Sequence, residues 1–266
     1  MGAAGPIHVE REFGLQQVFE SIDSVYQTMA YGLGIFDNKT WDSQIEPWTA
    51  KKWQEVKQSY LQEHKYTSIH LLFKRMLDVA IASVGILVLF PLLLLIAVVV
   101  KLTSFGPILF CQERLGKQEK TFTIYKFRTM VDGAIYQGSG VNTFKGDPRV
   151  TSVGKFLREY HLDELPQLFN VLQGDMSLVG PRPLLPEDLS NYTNRQKLRL
   201  LVKPGITAWE AVNGGLDNSL EKRLELDVWY VNHFSFWLDL AILLRTIPVV
   251  LRREGLYEKQ ETQAKP

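Results

Sequence analysis

The chain has 266 residues, 45 % of them hydrophobic, with 30 lysines and arginines against 29 aspartates and glutamates and a formal net charge of +1. That length holds one sizeable domain with an extension, or two small domains, and the apolar content excludes a disordered tail. The near-balance of charge excludes a global field for nucleic acid, so anion binding must come from local clusters, and the single Cys111 excludes an internal disulfide and a cysteine zinc site.

In chain order, residues 1–9 lack a basic stretch followed by an apolar core, so no secretory signal is expected and the chemistry is expected to face the cytoplasm. Residues 1–70 read as an N-terminal extension, with helical patterning over 11–31, a turn at 36–39 and a polar helix over 47–64. Trp41, Trp48 and Trp53 stand out there. A membrane interface and packing against a main domain are both open for them, and the extension is assigned no chemistry.

Residues 79–100 contain no charged residue and are long enough to cross ~30 Å of hydrocarbon. A helix apolar on every face needs lipid or a large protein around it, so this is read as a membrane segment. Whether it crosses is a separate question. Lys74 and Arg75 precede it, and Lys101 and then Arg114, Lys117, Lys120, Lys126 and Arg128 follow it. Basic flanks on both sides favour returning both ends to the cytoplasm. Pro91, near the middle, removes a backbone donor and offers a helix break for a re-entrant hairpin. On the residues alone, a kinked span stands beside the hairpin.

Beyond the segment, 107–112 and 121–127 read as two short strands joined by a turn at 115–117. Helices broken by Gly and Pro follow. One is expected to start near Asn218, with Glu221 as a capping partner, and run toward Tyr230. The stretch 234–253 mixes aromatic and aliphatic residues with Asp239, Arg245, Arg252 and Arg253. Its charges interrupt it too often for a span, leaving an in-plane interfacial helix or ordinary core packing.

The most informative stretch is His161-Leu-Asp-Glu-Leu-Pro-Gln-Leu-Phe-Asn-Val-Leu-Gln-Gly174. Pro166 is tolerated only in a first helical turn and Gly174 is a natural stop, so a helix is expected from about Asp163. Asp163 and Glu164 then stand at the positive end of the helix dipole, where backbone donors also favour phosphate. Taken alone, the pair is the ordinary N-cap and first-turn acid of a helix. The surrounding cations change the reading. Lys126 and Arg128, two apart on a strand, are expected on one face. Arg182 is fixed between Pro181 and Pro183, which suits a guanidinium to phosphate. Arg114 and Lys203 are further candidates, and Gly205 permits close backbone approach. Two carboxylates would repel an incoming diphosphate unless a divalent cation such as Mg²⁺ joined them.

At this point the chain resembles the bacterial sugar transferases, the monotopic phosphoglycosyl transferases. The resemblance rests on Lys74-Arg75, Glu113-Arg114, Lys126-Phe-Arg-Thr-Met130, Leu162-Asp-Glu-Leu165, Gln167-Leu-Phe-Asn-Val-Leu172, Gly174-Asp-Met-Ser177, Val179-Gly-Pro-Arg-Pro183, Pro204-Gly-Ile-Thr207 and Glu225-Leu-Asp-Val228, and runs over about 73–255. It implies an α+β, mainly helical cytoplasmic catalytic domain (71–255) with a short β-hairpin, anchored to a bacterial inner membrane by a re-entrant helix hairpin and interfacial helices, with a tail at 256–266. It further implies that Asp163 attacks the sugar-bearing phosphate of a UDP-sugar, that UMP leaves, and that undecaprenyl phosphate displaces the aspartate. Glu164 would help Asp163 hold Mg²⁺, while Lys126, Arg128, Arg182 and Arg114 would contact phosphates and Pro91 would mark the helix break.

Two departures stand out. Phe90-Pro91 replaces the usual Ser-Pro, and Thr207-Ala-Trp-Glu-Ala-Val-Asn-Gly-Gly215 differs from the usual Gly-Trp-Ala-Gln-Val-Asn-Gly-Arg. The role of the extension is open among lipid contact, a homodimer contact and docking to a downstream glycosyltransferase. A catalytically silent scaffold of polysaccharide assembly and a membrane phosphohydrolase are the alternatives. The first has no need of the gathered charges, and the second does not explain a site held at the bilayer.

Overall fold

The computed structural model describes residues 68–253 apart from 139, 141, 142 and 145, together with 55, 58 and 59. The expectations for the extension and the tail lie outside the described residues. What is described is mainly helical with two small two-stranded sheets, the expected class.

The apolar run forms α1 (Ser68–Thr103), a helix of 36 residues and so ~54 Å long. One stripe of it is buried: Asp78, Ala82, Leu93, Ile96 and Val100, with Ile86 and Leu89 partly so. Spacings of three and four place these on one face. The opposite face exposes Val84, Leu87, Val88, Phe90, Leu94, Leu95 and Leu102. At Pro91, where a break is expected, the chain stays helical. Proline removes a single ladder donor, and the buried stripe resumes on both sides of it.

β1 (Leu109–Leu115) and β2 (Thr121–Phe127) pair antiparallel from Leu109 opposite Phe127 to Leu115 opposite Thr121. The first strand thus starts two residues later and ends three later than expected, because all seven residues of β2 find partners. The turn holds a short 3₁₀ piece, Lys117–Glu119, and closes with Gly116 donating to the Lys120 carbonyl. Along β2, Phe122 and Ile124 face the core and Lys126 follows them at the same period.

After α2 (Ser152–Glu159), N-capped by Thr151, comes a difference that matters for the site. Asp163 and Glu164 lie in a separate 3₁₀ turn, Leu162–Glu164, and the following helix α3 spans only Gln167–Gln173, with Pro166 at its N-cap. His161, left-handed at φ 53°, reverses the chain between α2 and this turn. The expected helix start at Asp163 is therefore one turn too early.

β3 (Ser177–Val179) runs parallel to β4 (Gly205–Thr207), with the four-residue α4 (Asn194–Lys197) between them. α5 (Leu220–His233) is capped by Ser219, whose side chain accepts from Lys222, rather than by the expected Asn218. α6 (Phe236–Arg252) is capped by Ser235. The main core joins Ala82 of α1 to Phe122, Ile124, Leu168, Val171, Leu178, Tyr230 and Ile242. A second cluster joins Leu93, Ile96 and Val100 to Phe127 and Leu157.

Candidate active site

Each side chain of the site is fixed by backbone that has little choice. Asn170 on α3 accepts from the Tyr125 N–H and donates to the Thr123 carbonyl. It therefore satisfies the free edge of β2 and sets that strand, with Lys126 on it, against the turn that carries Glu164. β3 and β4 approach so closely that a Cβ on Gly205 would lie 2.1 Å from the Gly180 nitrogen, and one on Gly180 would lie 2.3 Å from the Lys203 carbonyl oxygen. The glycines of Gly180-Pro-Arg-Pro and Pro-Gly-Ile-Thr are thus required by this contact, which delivers Arg182 at the end of β3. Gly205 donates to the Pro181 carbonyl and Arg114 to that of Pro183, so the backbone on both sides of Arg182 is tied down.

These elements converge on a shallow open cleft lined by Arg114, Ile124, Lys126, Glu164, Gln167, Arg182, Pro183, Gly205 and Ile206. Lys126 Nζ lies 2.7 Å from Glu164 Oε1, and Arg182 Nη2 lies 3.5 Å from the same oxygen. Burial pushes the Glu164 carboxyl up, but the charges of Lys126 and Arg182 outweigh it and hold Glu164 below the usual range. Asp163, next in the chain, is only 8 % exposed. Burial, reinforced by the charge of Glu164, raises its carboxyl above the ordinary value, while Lys126, Arg158 and His161 oppose the rise. Burial and the neighbouring Arg182 lower the Arg114 guanidinium to about 10, so it stays charged at neutral pH. Three cations thus face one ion-paired carboxylate, an excess that an anion can fill.

Of the residues expected from sequence, Glu164, Lys126, Arg182 and Arg114 line the cleft, and Asp163 lies buried beside Glu164 within the field of Lys126. Arg128 does not join them. It is 5 % exposed, and its Nη2 donates to the carbonyls of Val100 and Ser104 and to the Ser104 hydroxyl. β2 ends at Phe127, so the same-face rule stops applying there, and the carbonyl end of α1 draws the cation. Pro91 stands on the exposed face of α1, outside the cleft. Lys203 is also not among the lining residues; burial and the charge of Arg75 lower its ammonium. Gln167, 2 % exposed, lines the cleft, and Arg158, whose Nε donates to Thr129, acts on Asp163 through its charge; sequence reasoning missed both. Their only signal was position: Gln167 three residues after Glu164, and Arg158 five before Asp163.

Residues 69–253 match the family model described as bacterial sugar transferase. The uncharacterized sugar transferase EpsL of Bacillus subtilis is 44 % identical over 194 residues, covering 73 % of this chain and 95 % of that protein. The undecaprenyl-phosphate glucose phosphotransferase of Komagataeibacter xylinus is 38 % identical over 75 % of this chain, and the undecaprenyl-phosphate galactose phosphotransferase of Salmonella typhimurium is 43 % identical over 57 %. Of those two longer proteins the chain covers only 40 % and 35 %. With the family model spanning most of its length and the cation-lined cleft built from the matched segment, the chain belongs to the bacterial sugar transferase family of enzymes.

Proposed function

We propose that the chain transfers a sugar 1-phosphate from a UDP-sugar to undecaprenyl phosphate. The observation that carries this reading is the Glu164 carboxylate held between Lys126 and Arg182, beside Asp163, in a cleft with more cations than acids. Phosphoryl transfer needs positioning and charge neutralisation above all, and this set supplies both. A carboxylate oxygen of Asp163, made more basic by burial, attacks the phosphorus that bears the sugar. The bond from that phosphorus to the bridging oxygen breaks and UMP leaves with the electron pair. An oxygen of the lipid phosphate then attacks the same phosphorus, the acyl phosphate bond breaks, and Asp163 returns as a carboxylate. Arg182 and Arg114 hold the diphosphate, and Lys126 keeps Glu164 ionised and in place.

The donor set fits Mg²⁺. Asp163 and Glu164 offer hard oxygens, and among the described residues no group of three or more His, Cys, Asp or Glu forms a complete cage. The remaining ligands would be phosphate oxygens and water, the usual way Mg²⁺ binds beside one or two carboxylates. When bound, it would offset the charge of the diphosphate against the two acids.

We further propose that α1 lies on one side of the bilayer with its outer face in lipid. Near its start, Lys74 pairs with Asp239 and donates to Val179, and Arg75 donates to the Val171 and Leu172 carbonyls. At its end, Arg128 holds Val100 and Ser104. A helix upright across the bilayer would drag the folded body attached to both ends through hydrocarbon, against the cost of its polar groups. The exposed stripe Trp237, Leu244, Ile247 and Leu251 of α6 suits an interfacial position.

The test is release of UMP from UDP-sugars, with undecaprenyl phosphate and Mg²⁺ present. Wild type should release UMP, lose that activity to a chelator and regain it with Mg²⁺. Asp163→Asn should fold normally, form no covalent phosphosugar adduct and lose turnover by at least ~10³-fold. Near-normal turnover of that variant would remove Asp163 from the mechanism.

A further inference from the structure

Beside Arg182 lies a buried group of charges that the reaction as derived does not use. Arg199 and Asp227, 4 % and 2 % exposed, form an ion pair at 2.5 Å. The same Arg199 Nη2 donates to the Arg182 carbonyl at 2.7 Å. Glu210, 4 % exposed, stands in the surrounding field with Arg223 and Tyr192. One oxygen of Asp227 and one of Glu210 accept no hydrogen bond.

Such a cluster is costly. Taking two charges out of water loses several kcal/mol per ion, and apolar residues of the same volume usually stabilise a fold at least as well. Stability therefore gives no reason to keep it, whereas geometry does. The Arg182 guanidinium is half exposed, so its own surroundings hold it weakly. The flanking prolines donate no N–H on either side of it, and the carbonyls of Pro181 and Pro183 are already taken by Gly205 and Arg114. The Arg182 carbonyl between them accepts from Arg199, a guanidinium locked by a carboxylate.

We propose that Arg199 and Asp227 are positioning residues for the donor diphosphate, acting through the backbone of Arg182. The inference rests on the reading of Arg182 as a phosphate ligand. Asp227 fixes the Arg199 fork, Arg199 fixes the Arg182 peptide, and the Arg182 side chain is then presented at Glu164 and the cleft. Burial lifts the Asp227 carboxyl to about 7, with Arg199 opposing and Glu210 adding to the rise, and Arg223 and Arg182 opposing it further.

The experiment is a double-mutant cycle on the full chain in detergent, with Arg182→Ala, Arg199→Lys and their combination. Two quantities are read: the KM and kcat for UDP-sugar, and the affinity for inorganic pyrophosphate by calorimetry. Arg199→Lys should raise KM about tenfold while kcat changes less, the scale of one lost hydrogen bond to a charged group. In the Arg182→Ala background, Arg199→Lys should cost nothing more. Losses that multiply would overturn the proposal, since they would mean that Arg199 acts elsewhere. To separate a folding defect, the apolar pair Arg199→Met with Asp227→Leu should match wild type in thermal stability yet share the KM defect; normal KM in that variant would also overturn it. If wild type turns over no UDP-sugar, the functional reading fails, and the same non-additivity in pyrophosphate affinity still decides this inference.

Discussion

At the residue scale, the buried acids carry opposite signs. Glu164 lies below its ordinary value because cations neutralise it, whereas Asp227 lies above its own because burial dominates. A carboxyl raised from 3.8 to about 7 on folding adds stability that is full below the unfolded value and lost as pH rises through the folded one. Asp227→Asn mimics the protonated form at every pH. Wild type should therefore lose melting temperature relative to this variant between about pH 4 and about pH 7, and a difference that stays flat over that window would mean that Asp227 is ionised throughout. The acids and cations of the cleft were legible in the sequence because their motifs confine them: Pro181 and Pro183 fix Arg182, and the Asp-Glu pair is adjacent. Arg128 was misplaced because its role depends on where β2 stops. The Arg199–Asp227 pair was illegible, since nothing in the spacing of two residues on separate elements says that they meet.

At the element scale, the β3–β4 contact governs the site. Gly205→Ala would put a Cβ 2.1 Å from the Gly180 nitrogen and 2.4 Å from the Thr207 carbonyl oxygen, so the parallel pair must part and carry Arg182 with it. Overpacking of this kind costs about 1–3 kcal/mol. The variant should melt several degrees lower and lose most of its UDP-sugar turnover, both readable on one preparation. An unchanged melting point would mean that the strands can separate freely. The hairpin of β1 and β2 was legible from alternation, and its ends moved only by the length of the partner strand. The 3₁₀ turn under Asp163 was not legible, because Pro166 and Gly174 mark the limits of α3 and leave the three residues before it free to take a tighter turn.

At the scale of the whole molecule, the apolar segment was plain from its length, while its relation to the rest depended on contacts. One-sided placement predicts that cysteines at Leu72 and Phe105, both exposed and on opposite flanks of the apolar run, share one fate in a Cys111→Ser background. Ser104 is less suitable, since Arg128 engages it. Both should resist a membrane-impermeant thiol reagent in intact cells and react after lysis. Reaction of one alone in intact cells would mean that α1 crosses.

The buried stripe of α1 has a practical corollary for anyone seeking a soluble enzyme. Ala82 closes the cluster that includes Leu168 and Val171, and Leu93, Ile96 and Val100 close the one around Phe127 and Leu157. An anchor that merely tethers can be trimmed away, but this one is also an interior wall. Cutting it off would open both clusters to water and free Arg128 from the helix end it caps, next to the strand that carries Lys126. Solubilisation is therefore better sought by replacing outward residues such as Leu87, Val88, Leu94 and Leu95 with polar ones, keeping the helix and giving up only its affinity for lipid.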